Sequence, residues 1–347
     1  MSVYGKRKKE SGGNENMMTY EIFKEVVTEK FKDYMPEQYK NMDFKIQEVN
    51  KVNRTLDGIS MIAIGAENNV SPTIYINDMY DHYMKCNDLQ AVMESAAQYM
   101  ENAMHMVNKE GAIDFTKAKD NIVFQLINTE QNKEMLERVP HREFQDLSIV
   151  YRWIVKMDEE GIHSTLIKDK LAEQLGFTEE QLFHLAVENT RRILPPTVKS
   201  INEVMCEIFM KDGMPDEIAE MMMNEFPKEK SMWIVSNDRG INGAISMLYE
   251  DKLQALAMEL DSDLYIMPSS VHEVIAVSAS VGDPYELAQM VAETNLEQVA
   301  LGERLSNQVY HYDKDLRKLS LATDTPNKRL DGIVAASQFI YDAGKSR

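Results

Sequence analysis

An unbroken stripe of apolar residues constrains this chain most: Leu89, Val92, Met93, Ala96, Ala97, Met100, Ala103, Met104 and Val107. Recurrence at i, i+3 and i+4 predicts a long helix with one apolar face, which other elements must cover. Several of those elements have strand length and strand composition. They are "FKIQEVNKVN", "GISMIAIG", "PTIYIN", "NIVFQLIN", "FQDLSIVYRWIVK", "MWIVSN", "GAISML", "DLYIMP" and "HEVIAVSA". The first two flank Asp57-Gly58, a hairpin-turn signal. An α+β fold follows, with mixed or antiparallel sheets and helices packed against them.

Further helices announce themselves through their first turns. Thr178 with Gln181, and Ser200 with Glu203, have capping-box spacing, while Asp283-Pro284 with Glu286 supplies an N-cap, a first-turn proline and an acid. "YEDKLQALAMEL" reads as one more helix between strands. A chain of 347 residues predicts two lobes. They span 18–195 and 196–320 and meet near 195–230, with Pro195-Pro196 and "KDGMPDE" as hinges. Residues 1–17 read as a flexible lead-in and 321–347 as a polar tail. "SGGNEN" ahead of Met17-Met18 suggests a translated ribosome-binding site, with folded protein starting at the Met pair. The nucleotide sequence upstream of Met18 tests that hypothesis.

Composition excludes more than it selects. No apolar run reaches membrane-spanning length, and the basic run at Lys6–Lys9 has no apolar core after it, so neither a span nor a secretory signal is expected. Two cysteines, Cys86 and Cys206, suit a reducing compartment, and the cytoplasm is the expected location. A formal charge of −19 repels phosphate backbones, which makes a nucleic-acid partner an unfavourable reading. His82 and Cys86 share a helical face, but a structural zinc needs four ligands, so no metal and no cofactor are predicted. "NDRGINGA" lacks the order of a phosphate-binding loop and reads as a turn between strands.

The stretch "DLYIMPSSVHEVIAVSAS" sets Ser269, Ser270, His272 and Glu273 within five positions. If "VHEVIAV" is a strand, Ser270 and His272 share one face and Glu273 points to the other, so a triad cannot form locally. A hydrolase built on Ser270 and His272 would need an acid from elsewhere, such as Asp238. The chain also lacks a G-x-S-x-G elbow. "VPHREFQDLSIVYRWIV" gathers His141, Arg142, Asp146, Arg152 and Trp153 around a strand. Arg142 and Asp146 read as an edge-strand ion pair, or else, with His141 and Asn237, as contacts for an anion or partner. Residues 165–193 have helix-turn-helix spacing at Ala172, Gly176 and Leu182. The would-be recognition helix, however, begins Thr178-Glu179-Glu180, an acidic start for a groove reader. A DNA-binding regulator using this unit would show salt-sensitive retention on heparin.

Several stretches resemble the domain-of-unknown-function 5688 family, seen mostly in gut Firmicutes. They are Pro140-His141-Arg142, Asp146-Leu147, Tyr151-Arg152, Glu188-Asn189-Thr190, Pro195-Pro196, Asn242-Gly243-Ala244, Asp263 through Ile275, Leu305-Ser306 and Val309-Tyr310. The likeness runs from about residue 18 to 320, with "PSSVHE" its most specific part. It implies one recurring architecture and no assigned activity, cofactor or catalytic residue. The expected function is a binding or interaction protein for a protein or small-molecule partner. Twenty-five methionines, including Met221-Met222-Met223, suit adaptable packing or a partner surface.

Overall fold

The computed structural model describes residues 17–40, 42–62, 72–110, 115–158, 161–213, 231–325 and 330. The chain divides into two compact units, one of residues 1–50 and 55–112, the other of 51–54 and 113–347. Three antiparallel sheets and their helices make it an α+β protein. The lead-in up to residue 16, the Met221–Met223 cluster, the second half of the "KDGMPDE" stretch and the tail from 331 lie outside the described residues.

In the first unit, β1 (Asp43–Lys51), β2 (Arg54–Ile62) and β3 (Thr73–Tyr75) form a three-stranded sheet. It shares one core with α1 (Tyr20–Tyr34), α2 (Ile76–Cys86) and α3 (Leu89–Glu110). The apolar stripe on α3 does what its spacing demands: Val92, Met93, Ala96, Ala97, Met100 and Met104 are buried against Phe23, Val27, Phe31 and Ile59. Two local expectations fail here. The hairpin turns at Val52-Asn53, where Asn53 takes φ 63°, and Asp57-Gly58 lies inside β2. Gly58 answers crowding across the sheet, since an added Cβ would lie 2.7 Å from Thr73 Cγ2 and 2.9 Å from Val49 Cγ2. "PTIYIN" is strand only to Tyr75, because α2 begins at Ile76.

The second unit holds two sheets. β4 (Ile122–Asn128), β5 (His141–Phe144), β6 (Leu147–Asp158) and β7 (Gly161–Leu166) form one, with β6 pairing the other three. β8 (Pro196–Ser200), β9 (Trp233–Asn237), β10 (Leu264–Met267), β11 (Val274–Ser278), β12 (Tyr310–Asp313) and β13 (Lys318–Leu321) form the other, in the order β13-β12-β10-β11-β9-β8. A single core takes Phe124, Leu126, Ile149 and Tyr151 from the first sheet and Val235, Leu264, Ile266 and Tyr310 from the second. Around it pack α5 (Asp169–Leu175), α6 (Glu179–Ile193) and α8 (Glu250–Glu259), while α4 (Lys133–Leu136) packs with Ile127 and Val150, α7 (Ile201–Lys211) lies against β8, and α9 (Pro284–Gln298) packs with Met267, Val277 and Val309.

That shared core explains why the division falls near residue 112 and not at Pro195-Pro196. Pro196 opens β8 and pairs with Asn237 inside the six-stranded sheet, a position where a strand tolerates proline. Both capping boxes form, Thr178 with Gln181 and Ser200 with Glu203, and the Asp283 side chain accepts from the Tyr285 and Glu286 amides. "GAISML" is a 3-10 helix over Gly243–Leu248, not a strand. Gly243 through Met247 are all buried, so the alternation a half-exposed strand requires is missing.

Candidate functional site

The "PSSVHE" block is the loop from β10 to β11, and β11 starts only at Val274. The face-alternation argument therefore does not apply to residues 268–273. The loop is held by the 303–306 segment: Ser269 O accepts from Leu305 N at 2.9 Å, Pro268 O from Ser306 N at 2.8 Å, and Val271 N donates to Glu303 O at 2.8 Å. Within it, the buried Ser270 Oγ accepts from the His272 amide at 3.0 Å, a local turn typical of serine. The His272 ring faces elsewhere. Its Nδ1 accepts from Asn242 N at 3.3 Å, and its Nε2 lies 3.7 Å from Glu303 Oε1.

The acid nearest His272 thus comes from another segment, and it is Glu303, not Glu273 or Asp238. Asp238 is exposed, with its amide donating to Pro195 O at 3.0 Å. Asn237 is buried and folds the turn that follows β9: its Oδ1 accepts from Arg239 N at 3.0 Å and its Nδ2 donates to Ile241 O at 2.9 Å. This turn delivers Asn242, at φ 51°, and then Gly243. An added Cβ on Gly243 would lie 2.2 Å from Ser236 Oγ, 2.5 Å from His272 O and 2.8 Å from Asn237 N. Close backbone approach, not backbone φ, requires glycine here.

Arg142 and Asp146 do lie on the edge hairpin of β5 and β6, but they do not pair with each other. The Arg142 guanidinium forks onto Glu179, with Nε at 2.7 Å and Nη2 at 3.2 Å, reaches Glu180, and stands 3.7 Å over the Phe183 ring. Tyr151 OH also donates to Glu179. Burial pushes the Glu179 carboxyl up, yet Arg142 and Tyr151 more than offset that and hold it below the usual range. The first turn of α6, the would-be recognition helix, is therefore tied to a sheet. Asp146 instead accepts from Ser306 Oγ at 2.5 Å and from Tyr310 OH. His141 Nδ1 is 2.8 Å from Val139 O.

Two features escaped the sequence. One is a pocket of about 440 Å³ walled by Phe124, Ile149, Phe183, Val187, Ile245 and Leu248, with Tyr249, Arg191, Glu250 and Asp251 beside them. Arg191 pairs with Asp251 and lies 4.3 Å over the Tyr249 ring. Tyr249 OH and Ser246 Oγ are buried without a hydrogen-bond partner. Burial pushes the Tyr249 phenol up to about 12, so it stays a donor.

The other feature is a polar ladder on the opposite face of the four-stranded sheet. Arg152 Nη1 donates to Gln125 Oε1 at 3.2 Å, and Gln125 Nε2 donates to Asn242 Oδ1 at 3.0 Å. Asn242 N then meets His272. Among the described residues, no group of three or more His, Cys, Asp or Glu side chains is placed to hold a metal, and no helix is long and apolar enough to cross a membrane.

The residues that carry the resemblance are largely internal fasteners. Thr190 Oγ1 accepts from Phe124 N at 3.0 Å, Asn189 Nδ2 donates to Lys119 O at 2.8 Å, and Val309 N donates to Thr323 Oγ1 at 2.9 Å. No curated protein and no solved structure matches the chain. The model of a family of unknown function, DUF5688, matches residues 20–314, and the chain belongs to that family.

Proposed function

We propose that this protein is a cytoplasmic binding protein whose second unit takes a small, largely apolar molecule into the pocket beside Tyr249. One observation carries the reading: an apolar pocket is lined by Tyr249, whose buried hydroxyl has no partner. A buried hydroxyl without a partner costs about 1–3 kcal/mol, which an occupant supplying an acceptor relieves. The volume of about 440 Å³ fits a one- or two-ring molecule. The preferred occupant is an aromatic compound with a carbonyl or hydroxyl oxygen.

Ligand-observed NMR with naphthol, acetophenone and naphthalene tests this. Saturable binding is expected, weakened at least about tenfold by Val187→Trp, which fills the mouth from the partly exposed face of α6. Tyr249→Phe should weaken the two oxygen-bearing probes about 2- to 10-fold and leave naphthalene unchanged. Failure of all three probes to saturate, or binding indifferent to Val187→Trp, overturns the proposal.

The hydrolase alternative has less support, because Ser270 Oγ and the His272 ring are each engaged with other groups. In a broad hydrolase panel, Ser270→Ala and His272→Ala are expected to leave any background activity unchanged. Loss of an activity in both variants would favour the enzyme.

A further inference from the structure

Among the described arginines, Arg192 rests on neutral oxygens of Asp120 and Asn189, whereas Arg142, Arg191 and Arg317 pair with the carboxylates that a chain of net charge −19 supplies. Arg152 does not. Its Nε donates to Ser164 Oγ at 2.9 Å, one Nη to Ser164 O at 3.0 Å and the other to Gln125 Oε1 at 3.2 Å, all neutral acceptors. Three of the five guanidinium N–H groups are thereby used, leaving one on each Nη. The side chain is partly buried, and burial alone pushes its guanidinium below the usual range, with no acid counteracting it. A partly buried charge without a counter-ion is a costly arrangement, and the cost falls when an anion arrives.

The surroundings hold the guanidinium in place. Val123 pairs with Arg152 across β4 and β6, and Gln125 pairs with Val150, so Gln125 and Arg152 share a face and meet on the diagonal. Leu166 and Ser164 fix the other side through β7. Gln125 is itself buried and is oriented by Asn242, so its oxygen is committed to Arg152. The Asn242 Nδ2 amide, at the far end of this ladder, is free to donate.

We propose that Arg152, backed by Gln125 and Asn242, is the cationic anchor of an oxyanion site that takes a carboxylate or phosphate group across its two Nη atoms. Guanidinium matches such planar or tetrahedral oxyanions with paired, charge-assisted hydrogen bonds. The site lies on the face opposite the one carrying Phe124 and Ile149, so it is separate from the apolar pocket.

The test is a titration of the full chain, carrying isotope-labelled arginine, with sodium acetate and sodium phosphate against sodium chloride at matched ionic strength. The Arg152 Nε resonance should shift along a saturating curve at millimolar acetate, phosphate or both, while chloride produces no saturation. Saturation by one salt alone assigns the source of the oxyanion, and either result supports the site. Arg152→Lys, which keeps the charge but loses the fork, should weaken the saturating response at least about tenfold in a thermal-shift titration, and Arg152→Met should abolish it. A linear response to both oxyanions in the wild-type chain overturns the proposal even if neither variant folds. So does an unchanged response in Arg152→Lys.

Discussion

Gly243→Ala is expected to destabilise the second unit by at least about 3 kcal/mol, read as a lower urea midpoint at unchanged slope. The new Cβ meets three atoms well inside contact distance, and two of them, His272 O and Asn237 N, are backbone. Side-chain rotation can move Ser236 Oγ away, but that breaks its 2.7 Å bond to His272 O. The backbone atoms can move only if β9 separates from the loop before β11, and these strands are paired through Val235 and Val274. Gly240→Ala is the matched control. It sits in the same turn at φ 63° with nothing within 4 Å, so only its backbone conformation is strained, at about 1 kcal/mol. Equal losses in the two variants would show that crowding is not what selects glycine at 243.

What the sequence discloses here follows the range of the forces involved. Both capping boxes and the Asp283-Pro284 helix start are legible because every partner lies within three residues. The α3 stripe is legible because burial imposes a period, and β4, β9 and β10 because each is a short, almost wholly buried run of strand-forming residues. Gly58 and Gly243 are misread for one shared reason. Glycine usually marks a turn, but these two mark places where another strand or loop comes too close for a Cβ. The strand reading of "VHEVIAV" starts three residues early, because β11 begins only at Val274 and leaves Val271, His272 and Glu273 in a loop.

At the candidate sites the limiting information is tertiary. Arg142 has an acid four residues away in sequence, yet Glu179 wins because α6 brings its first turn to the edge of β5, where a fork and a ring face are both available. Arg152 looks like any other strand arginine until its neutral partners, 12 and 27 residues distant, are in place. The β12–β13 hairpin went unread although Tyr310 and Tyr312 alternate as a strand requires, because polar residues surround them. Tyr310 is also the residue that shows what Asp146 is for.

Asp146→Ala should cost on the order of 3 kcal/mol or more, the second large effect expected in this unit. Asp146 ends the turn between β5 and β6, in the four-stranded sheet. It accepts from Ser306 Oγ, in the segment leading into β12, and from the OH of Tyr310, the first residue of β12 in the six-stranded sheet. Both donors are fully buried, so alanine leaves two hydroxyls with no water to turn to, at about 1–3 kcal/mol each. Burial, with the Asp146 charge added, already pushes the Tyr310 phenol well above its usual range, so the phenol cannot ionise its way out of the loss. Tyr310→Phe removes one donor and keeps the ring stacked on Phe144, centroids 6.0 Å apart. It should therefore cost clearly less than Asp146→Ala, about 1–2 kcal/mol. In the double variant, Asp146→Ala with Tyr310→Phe, the orphaned phenol is gone, so the combined loss should fall short of the sum of the single losses by at least about 0.5 kcal/mol. Urea unfolding of the four proteins checks the cycle. Strict additivity would mean that Asp146 supports the turn of its own hairpin and not the joint between the two sheets.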